Sequence, residues 1–332
     1  MTLRIEVDAA RARALAERLG GVRTERPYFM PRPSGTDAET RLPDLYLLWI
    51  GICQQTRTLD GVVDGVRYRG SDYLVHRLTA SCTEDPSRFT GASLAAATGD
   101  DLRAWLSDDG DPASSTVDRV GERVRLMNDL GRRLVDGYGG AAANLLAASK
   151  GRLQGKMGLL ERLSRFEAYR DPVRKKSFLL VGFLKGLGLL EPVDPEQLGL
   201  PVDYHILRVF LRAGVLRGAG ARSVALFAGG EMSDEEDVEL RQAAVDAGRI
   251  MTRSVDPETL DLMLWMIGRN CCFYDHDPVC RAGPCTLEAS CSLGASTDLD
   301  CGLKCPFDGV CDGSHDAIAA ARREPALDTD LY

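Results

Sequence analysis

The stretch LGLPVDYHILRVFLRAGVL, residues 198–216, decides the fold of this chain. After the turn at Pro201 and Val202, the segment DYHILRVFLRAG predicts a helix that begins at Asp203. Aspartate is among the best residues at a helix start, because its carboxylate accepts hydrogen bonds from the free backbone N–H groups of the first turn. The stretch therefore predicts a helix with a carboxylate fixed at its amino end.

The sequence on both sides of this helix is also helical in pattern. Upstream, residues 172–185 follow Asp171, a predicted cap, and are apolar on nearly all sides, which indicates a central helix. Ser115 is the predicted cap of a long helix over residues 117–136. The other predicted helices cover residues 8–20, 43–55, 141–148, 154–166, 233–250 and 256–270. Because no strand pattern of any length competes, the sequence predicts an all-α fold.

The composition is that of a globular protein rather than a disordered or fibrous one. Of the 332 residues, 44% are apolar and 27% are charged, and the formal net charge of −8 argues against passive coating of nucleic acid. The first residues lack the apolar core of a secretory signal, and the longest apolar run, 178–190, is too short to span a bilayer. We therefore expect a cytoplasmic protein without a membrane partner.

Positive charge is concentrated in one part of the chain. Residues 118–176 contain 14 Lys and Arg against 7 Asp and Glu, which fits either solvated helix faces or a basic floor for an anionic ligand. Arg174, Lys175 and Lys176 favour the second interpretation. They lie in the predicted first turn of a helix, where the helix dipole disfavours cations, so a ligand or a reaction explains them better.

Cysteine is the most unusual feature of the composition. Eight of the ten cysteines lie between Cys271 and Cys311. In a cytoplasmic chain such a cluster argues for metal binding, because thiolates gathered by short loops bind iron or zinc. We expect an iron–sulfur cluster, with zinc as the alternative and disulfides or free thiols as the third interpretation. The sequence thus predicts a helical domain over 1–270 and a Cys-rich metal-binding module over 271–332.

Asp203 can do more than cap a helix. A carboxylate held by helix N–H groups stays ionised near neutral pH. A fixed anion that faces a pocket suits a reaction that builds positive charge, such as an oxocarbenium ion at a sugar carbon. The plain interpretation is a helix cap alone, and the two roles are compatible.

The segment around Asp203 resembles the catalytic aspartate region of the helix-hairpin-helix N-glycosylases. Within that superfamily the likeness is greatest to the queuosine salvage proteins, which are queuosine 5′-phosphate N-glycosylases. It covers residues 43–276 and also rests on GERVRLMNDLGRRLVDGYGG (121–140), FEAYRDPVRKKSFLLVGF (166–183) and VRYRGSDYLVHRL (66–78). The archaeal 8-oxoguanine glycosylases share a similar PVDY turn and are the rival relatives. The resemblance implies a helix-hairpin-helix glycosylase-like domain of two lobes, with a cleft near Asp203.

The resemblance also implies roles for individual residues. Asp203 matches the catalytic aspartate, and Lys176, or with a slightly poorer match Lys175, matches the lysine that opens the buried helix. We expect Asp203 to stabilise the sugar cation or to steer a water molecule, and the lysine to contact phosphate or base. The further substrate-binding candidates are Arg174, Tyr204, His205, Asp275 and His276. For His205, packing against a helical neighbour is the plainer alternative.

One segment departs from the salvage proteins. Where they have an aromatic-rich stretch, this chain has Gly-Ile-Cys-Gln-Gln-Thr at residues 51–56, which is more similar to the SQQT helix of DNA-repair glycosylases. Gln54 and Gln55 can hydrogen-bond the edges of a base, or they are solvated at a helix end. The departure leaves the substrate open between a free nucleotide and nucleic acid.

The cysteine module resembles two metal-binding arrangements. Several repair glycosylases carry a four-cysteine [4Fe–4S] cluster after the catalytic domain, and that position implies a first ligand set. The string Cys-Asp-Gly-Ser-His resembles part of the CDGSH [2Fe–2S] proteins and implies a second set. The two sets are Cys272, Cys280, Cys285 and Cys291, and Cys301, Cys305, Cys311 and His315. The number of metal centres stays open.

Three functions follow from the sequence as alternatives. The first is an N-glycosylase that hydrolyses the glycosidic bond of a modified purine or deazapurine nucleotide or nucleoside. The second is a base-excision DNA glycosylase with an iron–sulfur cluster, which flips the base into the same pocket. The third is a non-enzymatic iron–sulfur sensor or binding protein that uses the helical fold.

Overall fold

A computed structural model describes residues 3–24, 30–286 and 291–332. Helices dominate, with 55% of the chain helical and 6% in strands, so the all-α prediction is confirmed at that level. Residues 287–290 of the predicted cysteine module lie outside the described residues. In the described part of the chain, no helix combines the length and the apolar character that crossing a bilayer requires.

The helices of the described residues are short to medium in length. In chain order they are α1 (Ala9–Leu19), α2 (Thr36–Thr40), α3 (Leu42–Gly51), α4 (Gly70–Glu84), α5 (Gly91–Ala96), α6 (Gly99–Trp105), α7 (Val120–Tyr138), α8 (Ala142–Ser149), α9 (Leu159–Leu163), α10 (Lys175–Gly186), α11 (Tyr204–Ala213), α12 (Ala221–Phe227), α13 (Asp234–Met251), α14 (Pro257–Asn270), α15 (Val279–Ala282), α16 (Ser292–Ser296) and α17 (Ala317–Ala320).

Within the described ranges, four short strands form two antiparallel pairs that the sequence prediction missed. They are β1 (Ile5–Val7), β2 (Asp60–Val63), β3 (Val66–Arg69) and β4 (Leu216–Gly218), with β1 paired to β4 and β2 to β3. Asp64 and Gly65, between β2 and β3, both have positive φ. An Asp-Gly pair in that conformation is the preferred hairpin turn, so this signal was present in the sequence.

The helix predicted over residues 154–166 is reduced to α9, and the predicted helix starts near residues 117 and 172 are also wrong. The Ser115 hydroxyl donates to the Leu106 carbonyl instead of capping a helix, and α7 begins only at Val120. Asp171 does accept from backbone N–H groups, including that of Lys175, but Pro172 stays outside α10, which begins at Lys175. For α7 and α10, the residue before the helix has left-handed φ, a conformation that helical periodicity does not reveal.

The chain divides into two compact units. The first unit comprises residues 3–24, 199–286 and 291–328. The second unit comprises residues 30–198 and 329–332. In the first unit, α1 packs on α13 and α11 packs on α14. The cysteine-rich segment belongs to this unit, so the predicted boundary at residue 270 does not coincide with the division between units.

The second unit has its own apolar core, built on α3, α4, α7 and α10. In this unit, α5 and α7 pack closely against each other at Gly131. A Cβ at this position would lie 2.1 Å from the Ala95 backbone nitrogen, so only glycine allows the two helices to approach this closely.

Asp44 on α3 is a buried carboxylate that gives the second unit a pH-dependent stability. Its side chain is 1% exposed and accepts from the Ala142 backbone N–H at 2.7 Å. Burial raises the pKa of Asp44 well above its ordinary value, to about 6. The folded state therefore prefers the protonated acid, and the stability linked to that preference is lost as pH rises from about 4 through about 6.

We expect Asp44→Asn to stabilise the second unit at pH 8 by about 1–3 kcal/mol, because the amide keeps the Ala142 hydrogen bond without a buried charge. Urea unfolding at pH 8 and pH 4.5 measures this, and the gain should fall to about a third at the lower pH. Asp44→Ala is the control and should destabilise at both pH values, since it leaves the Ala142 N–H unpaired. An Asn variant less stable than wild type at pH 8 contradicts the prediction.

Candidate functional site

Asp203 is positioned by the start of α11, as the sequence predicts. Its Oδ1 accepts from the Ile206 backbone N–H at 3.1 Å, and the residue is only 8% exposed. Oδ2 accepts no hydrogen bond from the described residues. The helix amino end stabilises the anion.

Tyr204 and His205 follow Asp203 in the first turn, and their rings lie 4.3 Å apart. His205 Nδ1 lies 2.9 Å from Arg208 Nη2. A guanidinium only donates, so Nδ1 accepts and the ring proton is on Nε2. Burial lowers the pKa of His205 to about 4, although the Asp203 carboxylate opposes the shift. His205 is thus a neutral ring with a fixed tautomer at pH 7.

Two buried arginines of α11 hold the start of the cysteine segment in place. Arg208 donates to the carbonyls of Cys272 at 2.6 Å and Gly268 at 2.9 Å, and it forms an ion pair with Glu324. Arg212 donates to the Phe273 carbonyl at 2.7 Å and lies 3.5 Å from Cys272 Sγ. The helix that carries Asp203 therefore also anchors the residues that lead into the cysteines.

Asp275 and His276, predicted to bind substrate, lie on the surface. Their side chains are 81% and 61% exposed, and His276 Nδ1 lies 2.7 Å from Asp275 Oδ1. The His276 ring stacks on Phe273 with 4.0 Å between ring centroids. This pair is built locally, and it fixes its own orientation without a contact to Asp203 among the described residues.

Five cysteines surround one small cavity of about 20 Å³ in the first unit. Its lining also includes Arg212 and apolar side chains such as Ile267 and Phe307. The cysteines are Cys271, Cys272, Cys280, Cys305 and Cys311. Four of them come from the two ligand sets that the sequence suggested, and Cys271 belongs to neither set. The fold thus groups cysteines that lie up to 40 positions apart in the chain.

The donor set of this cavity fits a thiolate-bound metal. Sulfur-rich sites of this kind select iron–sulfur clusters or zinc. A volume of about 20 Å³ is room for about one water-sized atom, so a cluster needs the thiols to move outward. In the described residues, no three His, Cys, Asp or Glu side chains already stand close enough to hold an ion.

Burial changes the protonation of the thiols that line the cavity. Burial, reinforced by the neighbouring thiols, raises the pKa of Cys280 and Cys311 to about 12. Both thiols are therefore protonated at neutral pH, and metal binding has to release their protons. Four of the predicted ligands do not line the cavity in the described structure: Cys285, Cys291, Cys301 and His315. His315 is exposed.

Lys176 is the best-connected of the predicted basic residues and lies in the second unit. It is fully buried, and its Nζ donates to the carbonyls of Gly51 at 2.8 Å and Asp330 at 2.7 Å and to Gln54 Oε1 at 3.1 Å. Burial lowers the pKa of Lys176 to about 8. Lys176 and Gln54, both predicted site residues, are thus brought together.

The remaining predicted contacts of this unit have local partners. Gln54 Nε2 donates to Glu122 Oε1 at 2.9 Å, and Arg174 Nη2 lies 2.6 Å from Glu161 Oε1. Lys175 is 7% exposed, and its backbone N–H donates to Asp171 Oδ2 at 2.9 Å. The predicted helix over 43–55 contains both glutamines, but α3 ends at Gly51, before either of them. Gln55 has a positive φ, which is not helical.

Two buried polar groups, one on α3 and one on α10, could not be found from the sequence. They are the indole Nε1 of Trp49 on α3 and the hydroxyl of Ser177, the residue after Lys176 on α10. Neither atom has a hydrogen-bond partner among the described residues. The Trp49 ring packs on Phe183 with centroids 4.9 Å apart. An apolar helix pattern hides such groups, because Trp and Ser fit a buried face whether or not their polar atoms are satisfied.

Comparison with known proteins adds no relative. No protein-family model matches the chain, and a search of curated proteins also found no match. The family resemblance that the motifs suggest therefore stays a prediction.

Proposed function

We propose that this protein is an N-glycosylase with a helix-hairpin-helix glycosylase-like fold. It hydrolyses the bond between a sugar and a modified purine or deazapurine, with a free nucleotide or nucleoside as substrate. The observation that carries the proposal is Asp203, a buried carboxylate with one oxygen fixed by a helix start and the other without a hydrogen bond from the described residues. The resemblance of residues 198–216 to the catalytic region of queuosine salvage proteins supports the same assignment.

The chemistry that we assign to Asp203 is electrostatic. When the glycosidic bond breaks, positive charge develops on the anomeric carbon and ring oxygen, and a preorganised anion lowers the free energy of that state. Water then attacks the anomeric carbon, the base leaves with a proton, and the sugar gains a hydroxyl group. His205, which follows Asp203 in the chain, is neutral, and its contact with Arg208 leaves the ring proton on Nε2 as a possible donor to substrate.

The direct test is a substrate panel. Purified protein is incubated with modified purine and deazapurine nucleosides, their 5′-monophosphates and lesion-bearing oligonucleotides, and mass spectrometry detects released base. Release from free nucleotides or nucleosides supports the proposal. Release from oligonucleotides alone supports the DNA glycosylase alternative, and intact substrates throughout favour the non-enzymatic alternative.

We propose also that the cysteine cavity holds an iron–sulfur cluster. The five lining cysteines, the apolar surroundings and the Arg212 N–H donor near Cys272 Sγ support a thiolate-bound metal. Cys272, Cys280, Cys305 and Cys311 would hold the cluster, with Cys271 beside them. Bound there, the cluster would supply folding free energy to a segment with little apolar content of its own.

The metal content is directly measurable. We expect protein purified without oxygen to be brown, with absorbance at about 400 nm and with stoichiometric iron and sulfide. The coloured protein should lose absorbance when an iron chelator is added under mild denaturation. A colourless preparation that contains only zinc contradicts the choice of iron.

A further inference from the structure

A carboxylate of the chain itself occupies a basic site in the second unit. Asp330 Oδ2 lies 2.8 Å from Arg125 Nη2, and Asp330 Oδ1 lies 2.9 Å from Arg170 Nη2. Arg170 Nη2 also contacts Oδ2 at 3.2 Å, so one guanidinium nitrogen bridges both oxygens. The Asp330 side chain is 10% exposed, whereas the two arginines are 43% and 44% exposed.

The segment that brings Asp330 to this site also covers Lys176. We call residues 329–332 the strap. The Asp330 carbonyl accepts from Lys176 Nζ at 2.7 Å, and Tyr332 is 7% exposed. The strap thereby places a backbone oxygen and a carboxylate against three cationic side chains from α7, α10 and the residues before α10.

The cations of this site outnumber the acidic groups that the fold itself supplies. Apart from the strap, Glu167 contacts both Arg125 and Arg170. Without Asp330, the two guanidinium groups would share that one carboxylate, and the Lys176 ammonium group would keep only the neutral acceptors of Gly51 and Gln54. Paired guanidinium forks beside an ammonium group are a geometry that suits a phosphate, which has three acceptor oxygens and up to two negative charges.

We propose that Arg125, Arg170 and Lys176 form a phosphate-binding site and that the strap occupies it in place of the ligand. Ligand phosphate would then displace the Asp330 carboxylate and uncover Lys176. The ligand class is a phosphate-bearing small molecule, and this inference does not depend on the proposed function. Its regulatory consequence is that the strap competes with that ligand.

Calorimetric titration of the full chain with inorganic phosphate tests the site. We expect Asp330→Asn to bind phosphate about 10-fold more tightly than wild type, which corresponds to about 1.4 kcal/mol. Adding Arg170→Gln to that variant should remove the gain. Asp60→Asn is the matched control, because Asp60 also binds two arginines, Arg67 and Arg69, but has no strap. Equal phosphate affinity in wild type and Asp330→Asn overturns the proposal.

Chemical labelling of Lys176 gives a second readout that needs no catalysis. An amine-reactive reagent followed by peptide mass spectrometry should modify Lys176 faster in a chain that lacks residues 329–332 than in wild type, and phosphate should slow that labelling. Unchanged labelling on deletion, or no protection by phosphate, overturns the proposal. Base release without these phosphate effects would contradict only the proposal that the strap occupies a phosphate site. Phosphate effects without base release would contradict only the proposed glycosylase function.

Discussion

Replacement of Asp203 by Asn is expected to reduce base release by about 100-fold or more, the usual cost of removing one preorganised charge that stabilises a transition state. The variant removes the negative charge and keeps the size of the side chain. Steady-state kinetics with the best substrate of the panel measures the effect. We expect the loss in kcat rather than in KM, because the carboxylate acts on charge that exists only in the transition state.

The fold should tolerate this change. Asn and Asp are nearly equivalent at a helix start, so Asp203→Asn should alter the free energy of unfolding by less than about 0.5 kcal/mol. Asp256→Asn is the matched control, because Asp256 caps α14 through the Thr259 N–H at 2.9 Å. The control should retain wild-type activity. Wild-type turnover by Asp203→Asn would show that Asp203 is a helix cap alone.

Replacement of Cys305 by Ser is expected to abolish the absorbance at about 400 nm and to destabilise the first unit by several kcal/mol, because metal binding supplies folding free energy there. Cys305 lines the cavity, and its thiol contacts Cys271. Iron analysis and thermal unfolding of the anaerobic protein measure both effects.

Cys301→Ser is the control for this variant. Cys301 is only four residues away in the chain and belongs to the same ligand set by sequence, but it does not line the cavity. It should keep full iron content. If Cys301→Ser loses the iron and Cys305→Ser keeps it, the grouping of cysteines around the cavity is not the one that binds metal.

Local signals predicted the helices well where the caps are ordinary. Asp8 and Gly20 bound α1, Gly139 follows α7, and Asp203 caps α11, all as expected. Each rests on hydrogen bonds within four residues, which a sequence pattern can reveal. The starts of α7 and α10 escaped because the chain turns at Arg119 and Arg174 with positive φ, and neither residue type favours that conformation.

The site was predictable only in its separate parts. The sequence marked Asp203, Lys176 and Gln54, and the structure pairs the last two. It could not show that cysteines from both ends of the module share a cavity, since loop closure decides which distant thiols meet. The sequence also could not show that the Asp330 carboxylate pairs with the guanidinium groups of Arg125 and Arg170, because these residues lie 160 positions or more apart in the chain.

The most direct test of the central claim is a single-turnover comparison of wild type, Asp203→Asn and Asp256→Asn with one modified purine 5′-monophosphate, in which mass spectrometry follows free base and sugar phosphate together. We expect wild type and Asp256→Asn to release free base and sugar phosphate in equal amounts, and Asp203→Asn to release almost none of either. Base release by Asp203→Asn at the wild-type rate, or intact nucleotide with all three proteins across the panel, would contradict it.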